Sequence, residues 1–347
     1  MLSPALRWLR RGVVVLLVFV VLDYLALPQI AGARNALHLL GDIRPWWVII
    51  GVALEVLSLV SYSMLTRSVL PDIRPPFSWV IRTDLTALGV SHLVPGGAAT
   101  ASTLRYRLFR EGGTPAEDAA VGMAVEGVGS SLVLIAMLWF ALVVSIPLVG
   151  VSPLYLAVAV IGALLIAAVL LAVFARSRET TPTAPDRGLL QAVIRRLPHR
   201  VRPRIERAVQ DASHQLHQLL ADKQALRSSA TWAAASWALD AASLWVFLAA
   251  YGVRVNPDGL LVAYGLANVV AIVPISPGGL GVIEGVLIPS LVGFGTPRGV
   301  AVLGVVSWRL FNFWAPIPTA GACYLSLRTQ NWRDRRRIPD PAGGPSG

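Results

Sequence analysis

Five candidates for chemistry lie well inside runs apolar enough to be buried in hydrocarbon: Glu55, Glu126, Asp240, Glu284 and Arg309. A sixth, Arg105, closes a shorter apolar stretch. A charge at bilayer depth costs about 2.5–3.5 kcal/mol on insertion scales, so each needs a chemical reason. Carboxyl and guanidinium groups in such places either contact a polar substrate and relay protons, or pair to hold a bundle together. An ion pair or shared network among Glu126, Glu284 and Arg309 would serve either purpose. Glu55 and Asp240 are expected to face the interior and hydrogen-bond locally.

A second feature lies beside these charges. Pro95-Gly96-Gly97 and Pro277-Gly278-Gly279 stand 182 residues apart (95 to 277). The same offset carries Gly113-Thr114-Pro115 onto Gly295-Thr296-Pro297, and Gly122 onto Gly304. It also carries Glu126 onto Trp308, beside Arg309. Each Pro-Gly-Gly precedes a helix whose first N–H groups lack partners. Those donors and the positive helix end favour a phosphate or other anion, and glycine permits its close approach. The expected substrate-binding residues are therefore Gly96, Gly97, Arg105, Gly278, Gly279 and Arg309. Glu126 and Glu284 are expected to gate or couple protons. The glycines alone would also suit a tight turn between packed helices. His92, just before the first turn, is read as a capping or packing residue.

Other chemistries find no support. The single cysteine, Cys323, rules out an internal disulfide and a Cys-built metal site. The five His show no metal-ligand spacing. No nucleophile elbow, phosphate-binding loop or dinucleotide fingerprint occurs. No catalytic residue, metal or cofactor is expected.

The elements that must position these residues are membrane helices. The chain is 55% hydrophobic and 14% charged, with a mean hydropathy of +0.64, a balance that belongs to a polytopic membrane protein. Apolar runs predict spans at about 12–30, 46–68, 116–148, 152–175, 228–251 and 298–327. The first is read as an uncleaved anchor rather than a signal peptide. Two shorter segments are broken by Pro-Gly-Gly: Phe77–Val94 with Ala98–Arg110, and Gly259–Ser276 with Leu280–Phe294. They are read as re-entrant helical hairpins, with two pairs of short complete spans as the alternative. The predicted fold is thus an all-α integral membrane bundle with two broken or re-entrant hairpins.

The net charge of +11 is clustered before the first span, between Arg176 and Arg227, and after residue 327. The positive-inside rule accounts for this more simply than nucleic-acid binding, which is not expected. It puts both termini in the cytoplasm and the protein in the cytoplasmic membrane. An odd number of crossings then separates the two halves, so the repeat is expected to be inverted, with both turns converging on one central site. The domain organisation is residues 1–175, holding the first repeat at about 46–148; a basic loop at 176–227; the second repeat at 228–327; and a basic, disordered tail at 328–347. The loop contains an amphipathic pattern that suits the anionic leaflet or the underside of the bundle equally.

The run Pro277-Gly278-Gly279-Leu280-Gly281-Val282-Ile283-Glu284, with Gly295 and Arg309, resembles the C-terminal signature of the lysylphosphatidylglycerol synthase transmembrane (flippase-like) family. Pro95-Gly96-Gly97 with Arg105, Gly113 and Glu126 resembles its N-terminal signature. Ala99-Thr100 depart from the Gly-acidic pair common there. Two-domain members carry a soluble aminoacyl-transfer domain. The sequence ends at Gly347, and the expectation is a stand-alone membrane part without that activity. The resemblance implies movement of an anionic lipid or lipid-linked head between leaflets, with membrane lipids as partners. Two other readings stand beside it. One is a membrane enzyme or accessory subunit acting on polyprenyl-linked sugars. The other is a non-transporting scaffold that recruits a lipid-modifying enzyme through loop 176–227.

Overall fold

The computed structural model describes residues 44–70, 75–94, 97–149, 223–272 and 276–337. The expected spans at 12–30 and 152–175, most of the basic loop, and Pro95 and Gly96 lie outside the described residues. All regular structure among the described residues is helical. The protein is an all-α polytopic membrane protein. Among the described residues, four helices are long and apolar enough to cross a bilayer: Pro45–Val69, Ala116–Ser145, Leu226–Ala250 and Arg298–Gln330.

In chain order the helices are α1 (Pro45–Val69), α2 (Phe77–Leu93), α3 (Gly97–Glu111) and α4 (Ala116–Val149), then α5 (Lys223–Ala250) and α6 (Pro257–Ala271). A 3₁₀ turn (Pro277–Gly279) leads to α7 (Val282–Gly293) and α8 (Arg298–Arg309). A π turn (Leu310–Trp314) joins α8 to α9 (Pro316–Arg337). The helix bounds recur at the offset of the sequence repeat, α1 to α4 answering to α5 to α9. Proline punctuates them for a physical reason. Pro45 and Pro257 occupy the first turn of α1 and α6, where a missing N–H costs nothing.

The arms α2, α3, α6 and α7 contain 17, 15, 15 and 12 residues. Each is shorter than the roughly 20 residues one crossing needs. Gly278, Gly279 and Gly281 have φ of 53°, 70° and 79°, the left-handed region that favours glycine. That backbone ends the incoming arm and restarts the chain as α7.

Lipid does not drive helices together by hydrophobicity, so close contact and hydrogen bonds must do so. The α1–α5 pair shows both. A Cβ on Gly51 would lie 2.9 Å from the Phe247 ring. Ser58 Oγ donates to the Ser236 carbonyl at 2.9 Å, Ser243 Oγ to the Gly51 carbonyl at 3.0 Å, and the Ser68 and Ser229 hydroxyls meet at 3.1 Å. These contacts run in opposite sequence directions, so α1 and α5 are antiparallel. The large side chains Trp46, Ile49, Val56 and Leu57 of α1 remain exposed on the outside. Such a polar inside and apolar outside is what a bilayer selects.

The hairpin arms are braced by the long helices. In α2, Arg82 donates to Ser326 and Gln330 of α9, each at 2.9 Å, and a Cβ on Gly89 would lie 2.3 Å from that of Ala320. In α6, Gly265 meets Leu138 of α4, and Asp258 accepts from Ser145 at 3.0 Å. The main core joins Leu134, Leu138 and Leu142 to Phe247, Tyr264, Leu287 and Trp308.

Candidate functional site

The 3₁₀ turn Pro277–Gly279 packs against α2 and α3 where those two helices adjoin Gly97. A Cβ on Gly278 would lie 2.6 Å from the His92 ring and 2.5 Å from that of Phe313. The second turn thus meets the end of the first hairpin. A Cβ on Gly97 would come within 2.5 Å of the Ser91 carbonyl, so α2 and α3 close on each other at the same end. Beside this meeting point lies a cavity of about 310 Å³ with mixed apolar and polar walls, whose ionisable or amide-bearing lining is Glu55, Tyr62, Asp84, His92, Arg105 and Asn312.

Three buried clusters surround it. The first is centred on Arg105 of α3. Its Nε donates to Asp84 Oδ1 at 2.8 Å, and its Nη2 to Glu126 Oε1 and Oε2 at 2.9 and 2.8 Å. Nη2 also reaches Thr66 Oγ1 at 2.7 Å, and the guanidinium lies over the Tyr62 and Phe109 rings. Nη1 makes only a 3.4 Å contact with the Tyr62 hydroxyl. One cation therefore serves two carboxylates, a net excess of one negative charge. Asp84 Oδ2 is buried without a hydrogen-bond partner.

The second cluster locks the second turn. Arg309 Nε pairs with Glu284 Oε1, and its Nη2 donates to the Gly279 carbonyl at 3.2 Å. The Gly281 N–H donates to Glu284 Oε2 at 2.6 Å. Where an external anion was expected at this helix start, the chain's own carboxylate sits. Next to it the Phe313 ring stacks on His92 at 4.3 Å, and His92 Nδ1 donates to the Phe313 carbonyl at 2.9 Å. A carbonyl only accepts, so Nδ1 carries a proton.

The third cluster bridges α1 and α5. Asp240 Oδ1 accepts from Trp308 Nε1 at 2.8 Å and from Asn312 Nδ2 at 3.1 Å, while Oδ2 accepts from the Tyr264 hydroxyl at 2.6 Å. The same Asn312 Nδ2 donates to Glu55 Oε1 at 2.9 Å. Glu55 Oε2 is buried and makes no hydrogen bond. The π turn presents Asn312. Pro316 and Pro318 lack N–H groups to hold a regular helix there, and Ala315 N–H reaches back to Leu310 instead.

The structure brings Glu284 and Arg309 together but puts Glu126 on Arg105, so the expected trio divides into two clusters. Arg105 lines the cavity, and Glu126 is reached through it. Gly278, Gly279, Glu284 and Arg309 stand behind His92 and Phe313 and are not cavity walls. Gly96 lies outside the described residues. Glu55 and Asp240, expected to face the interior and hydrogen-bond locally, are both buried and share one amide. Sequence reasoning missed Tyr62, Tyr264, Asn312 and Trp308. The available signal was polar groups in apolar runs, and for Asn312 the prolines four and six residues later.

The sequence model of the family described as "Lysylphosphatidylglycerol synthase TM region" matches residues 8–319, most of the chain. A UPF0104 membrane protein of Methanothermobacter thermautotrophicus is 25% identical over 131 residues, 37% of this chain and 39% of that relative. The inner membrane protein YbhN of Escherichia coli is 28% identical over 95 residues, 27% of this chain and 29% of that relative. Both matches span less than half the length of the relative.

Proposed function

We propose a function for a chain that belongs to the lysylphosphatidylglycerol synthase TM region family: it moves a lipid with an anionic polar head between leaflets of the cell membrane. The head enters the cavity beside the Pro277–Gly279 turn and the adjoining ends of α2 and α3 while the tails stay in the bilayer. One observation carries this reading. A cavity of about 310 Å³ with ionisable side chains in its walls lies beside the point where two interrupted helix pairs meet in a membrane protein. Discontinuous helices meeting at such a site are the usual way a transporter places polar backbone at membrane depth. The antiparallel packing of α1 on α5, which are repeat equivalents, supports an inverted relation of the halves. Arg105 Nη1, with its single long contact, is the donor with capacity left for a phosphate oxygen.

The test uses full-length protein in liposomes carrying labelled phosphatidylglycerol, with leaflet distribution read by chemical quenching of the outer label. Wild type should exchange label faster than protein-free vesicles. Ser102→Trp fills the cavity from α3 without removing any bond of the buried ion clusters, since Ser102 donates to the Ala98 carbonyl of its own helix. It should abolish exchange without lowering the melting temperature. Wild-type exchange no faster than that of empty vesicles rejects the function.

A further inference from the structure

We infer that Glu55 is a proton-exchange site opening onto the cavity, and that its protonation admits the anionic head. The second half of this statement rests on the lipid-moving function; the first does not.

The two carboxyl groups of the third cluster are unequally supplied. Asp240 accepts three N–H or O–H donors, from Trp308, Asn312 and Tyr264. Donors aimed at a carboxylate stabilise its charge. Glu55 shares one of those donors, and its Oε2 has none although it is buried. Ser243, also beside Glu55, spends its proton on the Gly51 carbonyl. Two carboxylates joined through one amide nitrogen cannot both hold charge cheaply, and the open oxygen is on Glu55.

Among the described residues, the surrounding charges leave no cation free for it. Asp240 faces it from α5 and Asn312 from the π turn. Asp84 and His92 of α2, Tyr62 of α1 and Arg105 of α3 line the same cavity. Arg105 is held by Asp84 and by Glu126 of α4. Arg309 of α8 acts on Asp240 but is paired with Glu284 of α7. A metal cation would need oxygens turned toward it, and three of the groups around Asp240 present hydrogens instead. A proton fits that donor pattern.

The step balances simply. Water in the cavity gives one H⁺ to the Glu55 carboxylate, converting it to a carboxyl group. The cavity loses one negative charge, and one negative head enters beside Arg105. When the head departs on the other side, the proton returns to water there. The cycle is electroneutral for one proton per negative charge.

Infrared difference spectroscopy of the full chain in lipid nanodiscs tests the proton site. Wild type should show a carboxylic-acid C=O band that is lost as pH is raised. Glu55→Gln, which keeps shape and the acceptor for Asn312, should lack the band, and Glu126→Gln should retain it. Survival of the band in Glu55→Gln overturns the assignment. So does loss of the band on adding sodium at constant pH, which would mark a metal-cation site. Should Glu55→Gln fail to fold, Asn312→Leu removes the one donor from Glu55 and should move the band to higher frequency; an unmoved band overturns the assignment. Coupling is read in liposomes under a gradient of about one pH unit. Electroneutral exchange should shift the leaflet ratio of labelled phosphatidylglycerol up to about tenfold in wild type, because each tenfold step in ratio matches one pH unit. Glu55→Gln should show no gradient response. Lipid movement in wild type that ignores the gradient overturns the coupling. A wild type that moves no lipid rejects the function, while the infrared band still decides Glu55.

Discussion

Replacing Arg105 by methionine should be far more damaging than replacing Glu126 by glutamine, although the two side chains are bonded to each other. The reason is charge count. Arg105 Nη2 lies 2.8 Å from Asp84 Oδ1 and 2.8 Å from Glu126 Oε2, so the two carboxylates approach within about 6 Å. At an effective dielectric of about 20 their repulsion is about 3 kcal/mol. Arg105→Met removes the only cation between them. Breaking a buried pair in this way costs about 3–5 kcal/mol. Glu126→Gln leaves a neutral Asp84–Arg105 pair. It loses charge-assisted hydrogen bonds worth about 1.5–3 kcal/mol but relieves a repulsion of similar size. The net cost should be under about 2 kcal/mol. For a chain of this size about 2 °C of melting temperature answers to 1 kcal/mol. Arg105→Met should therefore melt about 6–10 °C below wild type and Glu126→Gln less than about 4 °C below. Tryptophan fluorescence during heating in detergent micelles reads both. Equal shifts, or a larger one for Glu126→Gln, would refute the charge argument.

Three further outcomes follow from the packing. Gly278→Ala places a Cβ on a positive-φ residue wedged between His92 and Phe313, whereas Gly295→Ala meets a positive φ with open space. The first should cost more than the roughly 1–2 kcal/mol of a left-handed alanine, the second no more than that, and comparable melts would contradict the turn geometry. Trp308→Phe removes a 2.8 Å donor from buried Asp240 and should cost about 1–3 kcal/mol; a melt unchanged from wild type would mean the bond is not made. Gly89→Ala should force α2 off α9 at a cost of about 1–3 kcal/mol, and Ala320→Gly in the same chain should restore most of it. Failure of the second change to rescue the first would place the clash elsewhere.

The helices were readable because a bilayer allows few alternatives. Long apolar runs must span, and Pro-Gly-Gly must interrupt them, so Phe77–Leu93 and Val282–Gly293 emerge close to their expected limits. The buried charges were readable for the same reason, since each is costly enough to stand out. Their partners were less legible. The repeat offset puts Glu126 opposite Trp308, next to Arg309, but depth along a helix does not fix the face. Each residue turns the side chain by about 100°, and that turn sends Trp308 to Asp240 and Arg309 to Glu284. Glu126 meets Arg105 because α3 and α4 are neighbours within one half. The Glu55–Asp240 link depends on α1 lying against α5 across the two halves. It also needs a π turn that a regular 3.6-residue period does not anticipate.

His92 has one further consequence. It belongs to the first hairpin, yet its ring rests on Gly278 of the second and on Phe313 of the last long helix. Neither hairpin can swing outward alone without peeling that ring away from a stacked and hydrogen-bonded seat. The two hairpins are therefore mechanically coupled through one shared seat, so that a displacement of either is felt by the other.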